Sequence, residues 1–303
     1  MTANRQYELV ASRRGRVTST EVPAPGAGQV LVQVHANGLC ASDLSQWRDG
    51  QGTIGHEPVG TAVEIGAGVE LTLGSSVTGR FVGSYTDFVL AEPADIVPLP
   101  TGVPQDLALG EPLGCVAEAL RRAPIRLGER VVIIGLGFMG LCMAQLLACT
   151  PAARLTGIDL RDDARATAVE IGVVDAYSPT GLPAGLSDVD LVIEASGSQA
   201  GLDLATELVR PHGRISVLGY HQGTRQVDLQ AWNWKAIDVI NAHVRDRSLL
   251  RTSIAAGLDM IAAGRIDLTR LVTHRFPLER TDDAFTLLEK KPPGFVKAVI
   301  ELS

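Results

Sequence analysis

Four β-prone residues, Val131-Val132-Ile133-Ile134, run straight into Gly135-Leu136-Gly137-Phe138-Met139-Gly140, and an acid, Asp159, follows nineteen positions after the last of those glycines. The apolar run reads as a buried strand. The first glycine permits a tight turn, the second lets the backbone approach a pyrophosphate, and the third lets the next helix pack against the strand. That helix, starting with Phe138 and Met139 and apolar from Leu141 to Cys149, would face the phosphates with its positive end. A second strand, Arg154 to Asp159, ends in the acid, where a carboxylate accepts hydrogen bonds from a ribose diol and repels a 2′-phosphate. The segment is therefore read as a dinucleotide-binding βα turn selecting NAD, although Arg161, two residues on, is of a type that welcomes the extra phosphate.

The rest of the chain divides around this turn. Before residue 117 short strand-like runs (Val30 to Val34, Gly60 to Ile65, Thr86 to Leu90) alternate with Gly- and Pro-rich turns, which predicts a mostly antiparallel, barrel-like β domain. From 118 to 255 strands alternate with amphipathic helices; Asp190 to Ala195, Arg214 to Leu218 and Ala236 to Ile240 are further strands. Repeated βα units predict a doubly wound parallel sheet, hence an α/β protein of the Rossmann kind. Residues 256–303 return to strand, helix, strand and are expected to complete the first domain.

Composition excludes several classes. The 303 residues carry a net charge of −7 and no basic stripe, so nucleic acid is not an expected partner. The first ten residues contain Arg5 and Glu8 and no apolar core, and no apolar run reaches the length of a membrane span. A cytoplasmic protein with no membrane association is expected. Cys40, Cys115, Cys142 and Cys149 form no Cys-x-x-Cys pair, so disulfides are not expected either.

Cys40 has informative neighbours. Cys40-Ala41-Ser42-Asp43 is followed, sixteen residues after the cysteine, by His56-Glu57, and later by Glu111-Pro112-Leu113. A thiolate, an imidazole and one or two carboxylates suit Zn²⁺, and three protein ligands with one open position is the pattern of a catalytic ion. Taken singly, Cys40 reads as a buried thiol and His56 as a satisfied core histidine.

Taken together with the glycine turn, these segments resemble the medium-chain dehydrogenase/reductase family. Gly38-Leu39-Cys40-x-Ser42-Asp43, Gly55-His56-Glu57-x-x-Gly60, Glu111-Pro112-Leu113, Glu194-Ala195-Ser196-Gly197-Ser198 and Val296-Lys297-Ala298-Val299 carry the likeness over almost the whole chain. Cys-x-Ser-Asp-x-x-x-Trp, ending in Trp47, is most similar to the zinc-dependent alcohol and polyol dehydrogenases of the sorbitol and threonine dehydrogenase branch. The resemblance implies a GroES-like catalytic domain and hydride transfer between NAD(H) and a secondary alcohol or ketone of a polyol, cyclitol or sugar-derived small molecule, in a homodimer or homotetramer. It implies Cys40 and His56 as zinc ligands with Glu57 or Glu111. Asp43 would fix the His56 tautomer, and Ser42 would meet the substrate hydroxyl and begin a proton relay. Ser196 would join Gly135, Gly137, Phe138, Met139, Gly140, Asp159 and Arg161 around the cofactor. Trp47, like Trp232 and Trp234, is of a type that stacks on a sugar face.

The chain departs from the pattern in three places. Gly79 to Phe88 contains no cysteine, so the family's four-cysteine structural zinc lobe is missing and a single catalytic zinc is expected. The Cys40-to-His56 loop is short. The histidine that often ends the relay falls on Ser45, which passes a proton but cannot hold one near neutral pH. Two other readings are weighed: a zinc-free reductase of the same fold, and a cofactor-binding protein without catalysis. The intact ligand set argues against both.

Overall fold

The computed structural model describes residues 3–173 and 175–302. The chain forms two units, one of residues 1–114, 245–264 and 268–303, the other of 115–244 and 265–267.

The first unit opens with an antiparallel hairpin, β1 (Asn4–Ala11) and β2 (Arg14–Thr20). There follow β3 (Val30–Gly38), the short helix α1 (Leu44–Asp49), β4 (Pro58–Ile65), β5 (Ser76–Gly79), β6 (Phe88–Ala91) and β7 (Ile96–Pro98). Val30, Val32, Ala62, Val77, Phe81, Ala91 and Ile96 bury their side chains in one core cluster. Alternation of apolar residues on these strands sends one face inward, as a half-buried antiparallel sheet requires. Helix α2 (Gly110–Arg122) carries the chain into the second unit.

That unit runs β8 (Arg130–Ile134), α3 (Phe138–Leu147), β9 (Arg154–Ile158), α4 (Asp162–Glu170), β10 (Asp175–Tyr177), β11 (Val189–Glu194), α5 (Gln199–Leu208), β12 (Val209–Val217), α6 (Leu229–Lys235) and β13 (Asp238–Asn241). The sheet is parallel, in the order β10-β9-β8-β11-β12-β13. The chain starts at β8, winds outward through β9 and β10, then crosses over to β11. The carboxyl ends of β8 and β11 therefore form the switch point at which open α/β sheets bind ligands. Val131 to Ile134 are buried on both faces, which explains their uninterrupted apolar run.

The chain returns to the first unit with α7 (Arg247–Ala262), β14 (Val272–Pro277), α8 (Thr281–Lys290) and β15 (Lys297–Glu301). Its larger sheet has the order β14-β15-β3-β4-β5-β7, with β6 also on β3; pairing is antiparallel except between β14 and β15. The expected boundary at residue 255 is corrected by α7, which belongs with the β domain. Arg247 pairs with Glu92 at 2.6 Å, and Arg251 Nε donates to the Ile96 carbonyl at 3.0 Å. Gly114 gives Ile254 room, since a Cβ there would sit 2.6 Å from Ile254 Cγ1. Among the described residues no helix is long and apolar enough to cross a membrane.

Candidate functional site

In the first unit, β3 delivers the chain to Cys40, and a single 3₁₀ turn, Ala41–Asp43, leads into α1. Asp43 is buried, accepts the Gly55 amide on Oδ2 at 3.1 Å, and places Oδ1 3.2 Å from His56 Nδ1. Gly55 has φ +87°, and a Cβ there would sit 2.9 Å from both Asn37 Nδ2 and a Tyr85 ring carbon, so only glycine brings His56 in at this angle. Asn37 Oδ1 accepts the Glu57 amide at 3.0 Å while its Nδ2 donates to Ser84 Oγ at 2.7 Å.

The result is a convergence: ligand atoms of Cys40, His56 and Glu57 all lie within 4.8 Å of one another. Burial disfavours a charged imidazole, yet hydrogen bonds and charge from Asp43 and Cys40 outweigh it and push His56 up to about 12. The S, N and O donors of the cluster match zinc rather than a hard cation. The residues fit the ion.

Glu111, in the first turn of α2, is not in this cluster, and its charge helps to raise Lys297. Of the two carboxylates left open by the sequence, Glu57 is the one that stands in the cluster with Cys40 and His56. Ser42 Oγ donates to Cys40 Sγ at 3.2 Å, and Ser45 Oγ turns to the Ser42 carbonyl at 3.4 Å instead of to the Ser42 hydroxyl.

Trp47 is a correction. Its indole is 2 % exposed, stacked on Phe285 at 5.5 Å, with Nε1 donating to Asp282 Oδ1 at 2.9 Å. It anchors α1 against α8 and presents no face to a substrate. Sequence reasoning also missed Lys297, whose ammonium meets Glu57 and the Leu39 carbonyl, and Tyr85, which donates to the Gly38 carbonyl at 3.3 Å behind the cluster. The tail motif held Lys297, but nothing local said what it pairs with.

In the second unit the glycine turn has the backbone shape and close packing that its sequence calls for. Gly135 has φ +95°, and a Cβ on it would lie 2.6 Å from the Ser196 nitrogen. A Cβ on Gly140 would collide with the Gly135 carbonyl. Gly137, the N-cap of α3, would meet nothing within 4 Å, so it is open space, not packing, that lies before it. The Phe138 side chain is buried and Met139 is half-buried, so any role at the phosphates falls to their backbone. Asp159 Oδ2 accepts the Leu136 amide at 2.7 Å and Oδ1 the Arg161 amide at 2.9 Å, which ties the strand-end acid to the turn. The Arg161 guanidinium stands 3.7 Å from both Asp159 and Asp163. Each carboxylate oxygen of Asp159 keeps a lone pair for a further donor.

Comparison with known proteins matches residues 26–101 to the alcohol dehydrogenase GroES-like domain and residues 139–262 to the zinc-binding dehydrogenase domain. The chain belongs to the zinc-dependent medium-chain dehydrogenase family. Sorbitol dehydrogenase of Gallus gallus is 28 % identical over 91 % of this chain and 91 % of its own. The 2-dehydro-3-deoxy-L-galactonate 5-dehydrogenase of Pseudoalteromonas atlantica is 27 % identical over 97 % of both chains. The fold is shared with a zinc-binding dehydrogenase from Sinorhizobium meliloti bound to NADP, with a TM-score of 0.88 and 21 % identity over 99 % of this chain and 100 % of that one. As a medium-chain dehydrogenase the protein is an enzyme, an alcohol or polyol oxidoreductase that works with a nicotinamide cofactor on a small molecule.

Proposed function

We propose that this dehydrogenase holds one zinc through Cys40, His56 and Glu57, prefers NAD, and interconverts a secondary hydroxyl and a ketone on a polyol, cyclitol or related sugar-derived molecule. The observation that carries the reading is the approach of those three ligand atoms to within 4.8 Å of one another, with Asp43 on the far nitrogen of the imidazole. The relatives named for sorbitol and for a deoxy sugar acid support a polyhydroxylated substrate. So does the acidic ligand, which leaves a more polar, wetter surrounding than a second thiolate would.

The bound metal would supply Lewis-acid polarisation of the substrate oxygen. The chain's own residues do the rest. Asp43 holds the His56 ring in one tautomer by accepting from Nδ1. Ser42 Oγ, beside the Cys40 sulfur, accepts the hydroxyl proton of the substrate as it gives up its own to solvent, and a bound nicotinamide would supply the hydride acceptor. Ser45 does not extend that path, because its hydroxyl is bonded to the Ser42 carbonyl. Asp159 accepts from the adenosine ribose diol and repels a 2′-phosphate.

Three measurements test the reading. Elemental analysis is expected to give one zinc per chain; two, or none after gentle purification, would overturn the metal assignment and favour the zinc-free reductase. The ratio of kcat/KM is expected to favour NAD over NADP and to fall by about 10- to 100-fold in Asp159→Ser, the scale of one or two charge-assisted hydrogen bonds. A screen of polyols, cyclitols, amino alcohols and simple alcohols is expected to rank a polyol or cyclitol first; long-chain primary alcohols outperforming all of them would sink the substrate class.

A further inference from the structure

We propose that Glu194, His221 and Arg225 form a latch that fixes the two loops over the carboxyl ends of β11 and β12 and so positions the nicotinamide half of the bound dinucleotide. The inference rests on the cofactor reading above. It assigns work to residues which that reading leaves unused.

The sheet order determines which half lies where. The phosphate turn follows β8, and the ribose acid Asp159 follows β9, on one side of it. The adenine half therefore runs toward β9. The other half must lie across the switch point, over the loops that follow β11 and β12.

Those two loops are built as one piece. The amides of Leu218 and Gly219 both donate to the Glu194 carbonyl at 2.8 Å. Gly197 has φ +67°, and a Cβ on it would stand 2.6 Å from the Tyr220 carbonyl oxygen; a Cβ on Gly219 would stand 2.7 Å from Glu194 Oε2. Only glycines allow backbones to come this close.

The Glu194 carboxylate is completely buried, and both of its oxygens are used. Oε1 accepts the amides of Ser196 at 2.8 Å and Gly197 at 3.0 Å together with the Ser196 hydroxyl. Oε2 meets His221 Nε2 at 2.7 Å. On the other side of the ring Arg225 Nε lies 3.2 Å from Nδ1. A guanidinium can only donate, so Nδ1 accepts, and the ring proton sits on Nε2 and is given to Glu194. His221 is thereby a neutral bridge in one tautomer between a carboxylate and a guanidinium. The remaining nitrogens of Arg225 donate to the carbonyls of Gly197 at 3.1 Å, Gln222 at 2.7 Å and Thr224 at 3.1 Å. Gln199 closes the outer end by exchanging two hydrogen bonds with the Gln226 backbone, at 2.9 and 2.7 Å.

A carboxamide is recognised by backbone N–H and C=O groups held at fixed places, and the latch fixes such groups on both loops. Asp159, which serves the other half of the cofactor, follows β9, on the opposite side of β8 from the latch loops, while of the glycine turn Gly135 packs against the backbone of Ser196. A residue that merely holds the fold would affect both halves equally; a latch for one half would not.

The test is calorimetric titration of the full-length protein with NADH and, separately, with ADP-ribose, which keeps the adenine and pyrophosphate and lacks the nicotinamide. Arg225→Met and His221→Phe are expected to weaken NADH by about 10-fold or more, the loss of a hydrogen bond to a charged group. ADP-ribose should change less than about 3-fold in both variants; Tm is expected to fall in His221→Phe, which leaves the buried Glu194 Oε2 without its donor, and less in Arg225→Met, whose side chain is half-buried. His221→Gln, whose side-chain amide still donates to Glu194, is expected to recover part of the NADH affinity. Equal weakening of both ligands, or an unchanged NADH affinity in a folded variant, would overturn the latch. A wild-type protein that binds ADP-ribose and NADH equally tightly would overturn it as well. Wild-type protein that binds no dinucleotide at all would instead refute the cofactor reading, and the latch with it.

Discussion

Lys297 Nζ lies 2.6 Å from Glu57 Oε2, with side chains only 7 % and 2 % exposed, and the same ammonium donates to the Leu39 carbonyl at 2.8 Å. Burial alone would strip the lysine of its proton, but the charges of Glu57 and Cys40 outweigh it and hold the ammonium above its usual range. The pair places a fixed positive charge directly behind the metal donors. Lys297→Met should leave Glu57 as an uncompensated buried charge and cost about 3–5 kcal/mol in metal-free protein. Glu57→Gln combined with Lys297→Met should recover much of that loss. Urea unfolding of the wild type and the two variants after chelation checks it; an unchanged midpoint in Lys297→Met would refute the coupling.

Asp43 grips His56 and the Gly55 amide together. Its removal should lower zinc affinity without removing a ligand. Asp43→Ala is expected to weaken zinc by about 10- to 100-fold in competition with a chromogenic chelator, with NADH binding unchanged. Wild-type zinc affinity in the variant would count against the role given to Asp43.

Two glycines of the same turn should fail in different ways. Gly137→Ala meets empty space at an ordinary φ of −78°, so Tm should hold while the dissociation constant for NADH rises by about 10-fold or more. Gly140→Ala drives a methyl into the Gly135 carbonyl and should destabilise by about 1–3 kcal/mol or more. Thermal melts and NADH titrations on both variants separate the effects. A stable Gly140→Ala, or a Gly137→Ala with normal affinity, would contradict the assignment.

Asp190 is held below its ordinary value of 3.8: burial pushes it up, but the donated Arg130 amide and the Arg210 guanidinium, 2.7 Å away, prevail. A carboxylate with a lowered folded value binds fewer protons folded than unfolded, so stability rises with pH in this window. Its contribution is present in full above the unfolded value and is lost as pH falls through the folded one. Asp190→Asn should therefore flatten the fall in Tm between about pH 5 and pH 3. An unaltered slope in that window would show that the pair is not responsible.

The glycine turn and its acid were legible in the sequence because their physics is local. Gly135 needs a positive φ, Gly140 needs room for a neighbouring carbonyl, and Asp159 sits at a strand end; each requirement acts within a few residues or one βα unit. The convergence of Cys40, His56 and Glu57 was legible for a related reason, since few residue types can share a metal-like cluster. What the sequence left open depended on distant packing. Trp47 carries the same letter whether it faces a sugar or a core, and Phe285 and Asp282, from the far end of the chain, decided for the core. The sequence put Glu57 and Glu111 on an equal footing, and it took the folding of β3 and the loop before β4 to set Glu57 beside the thiolate and the imidazole. The buried pairs Glu57–Lys297 and Glu194–His221 join segments remote in sequence. A charge shows no sign in sequence of which opposite charge will share its burial. That partner is settled by strand order and register, when β15 is laid against β3 and the loop after β12 against the loop after β11. Because a buried charge is costly without its partner, tertiary structure decided both the surroundings of Cys40, His56 and Glu57 and the form of the loops after β11 and β12.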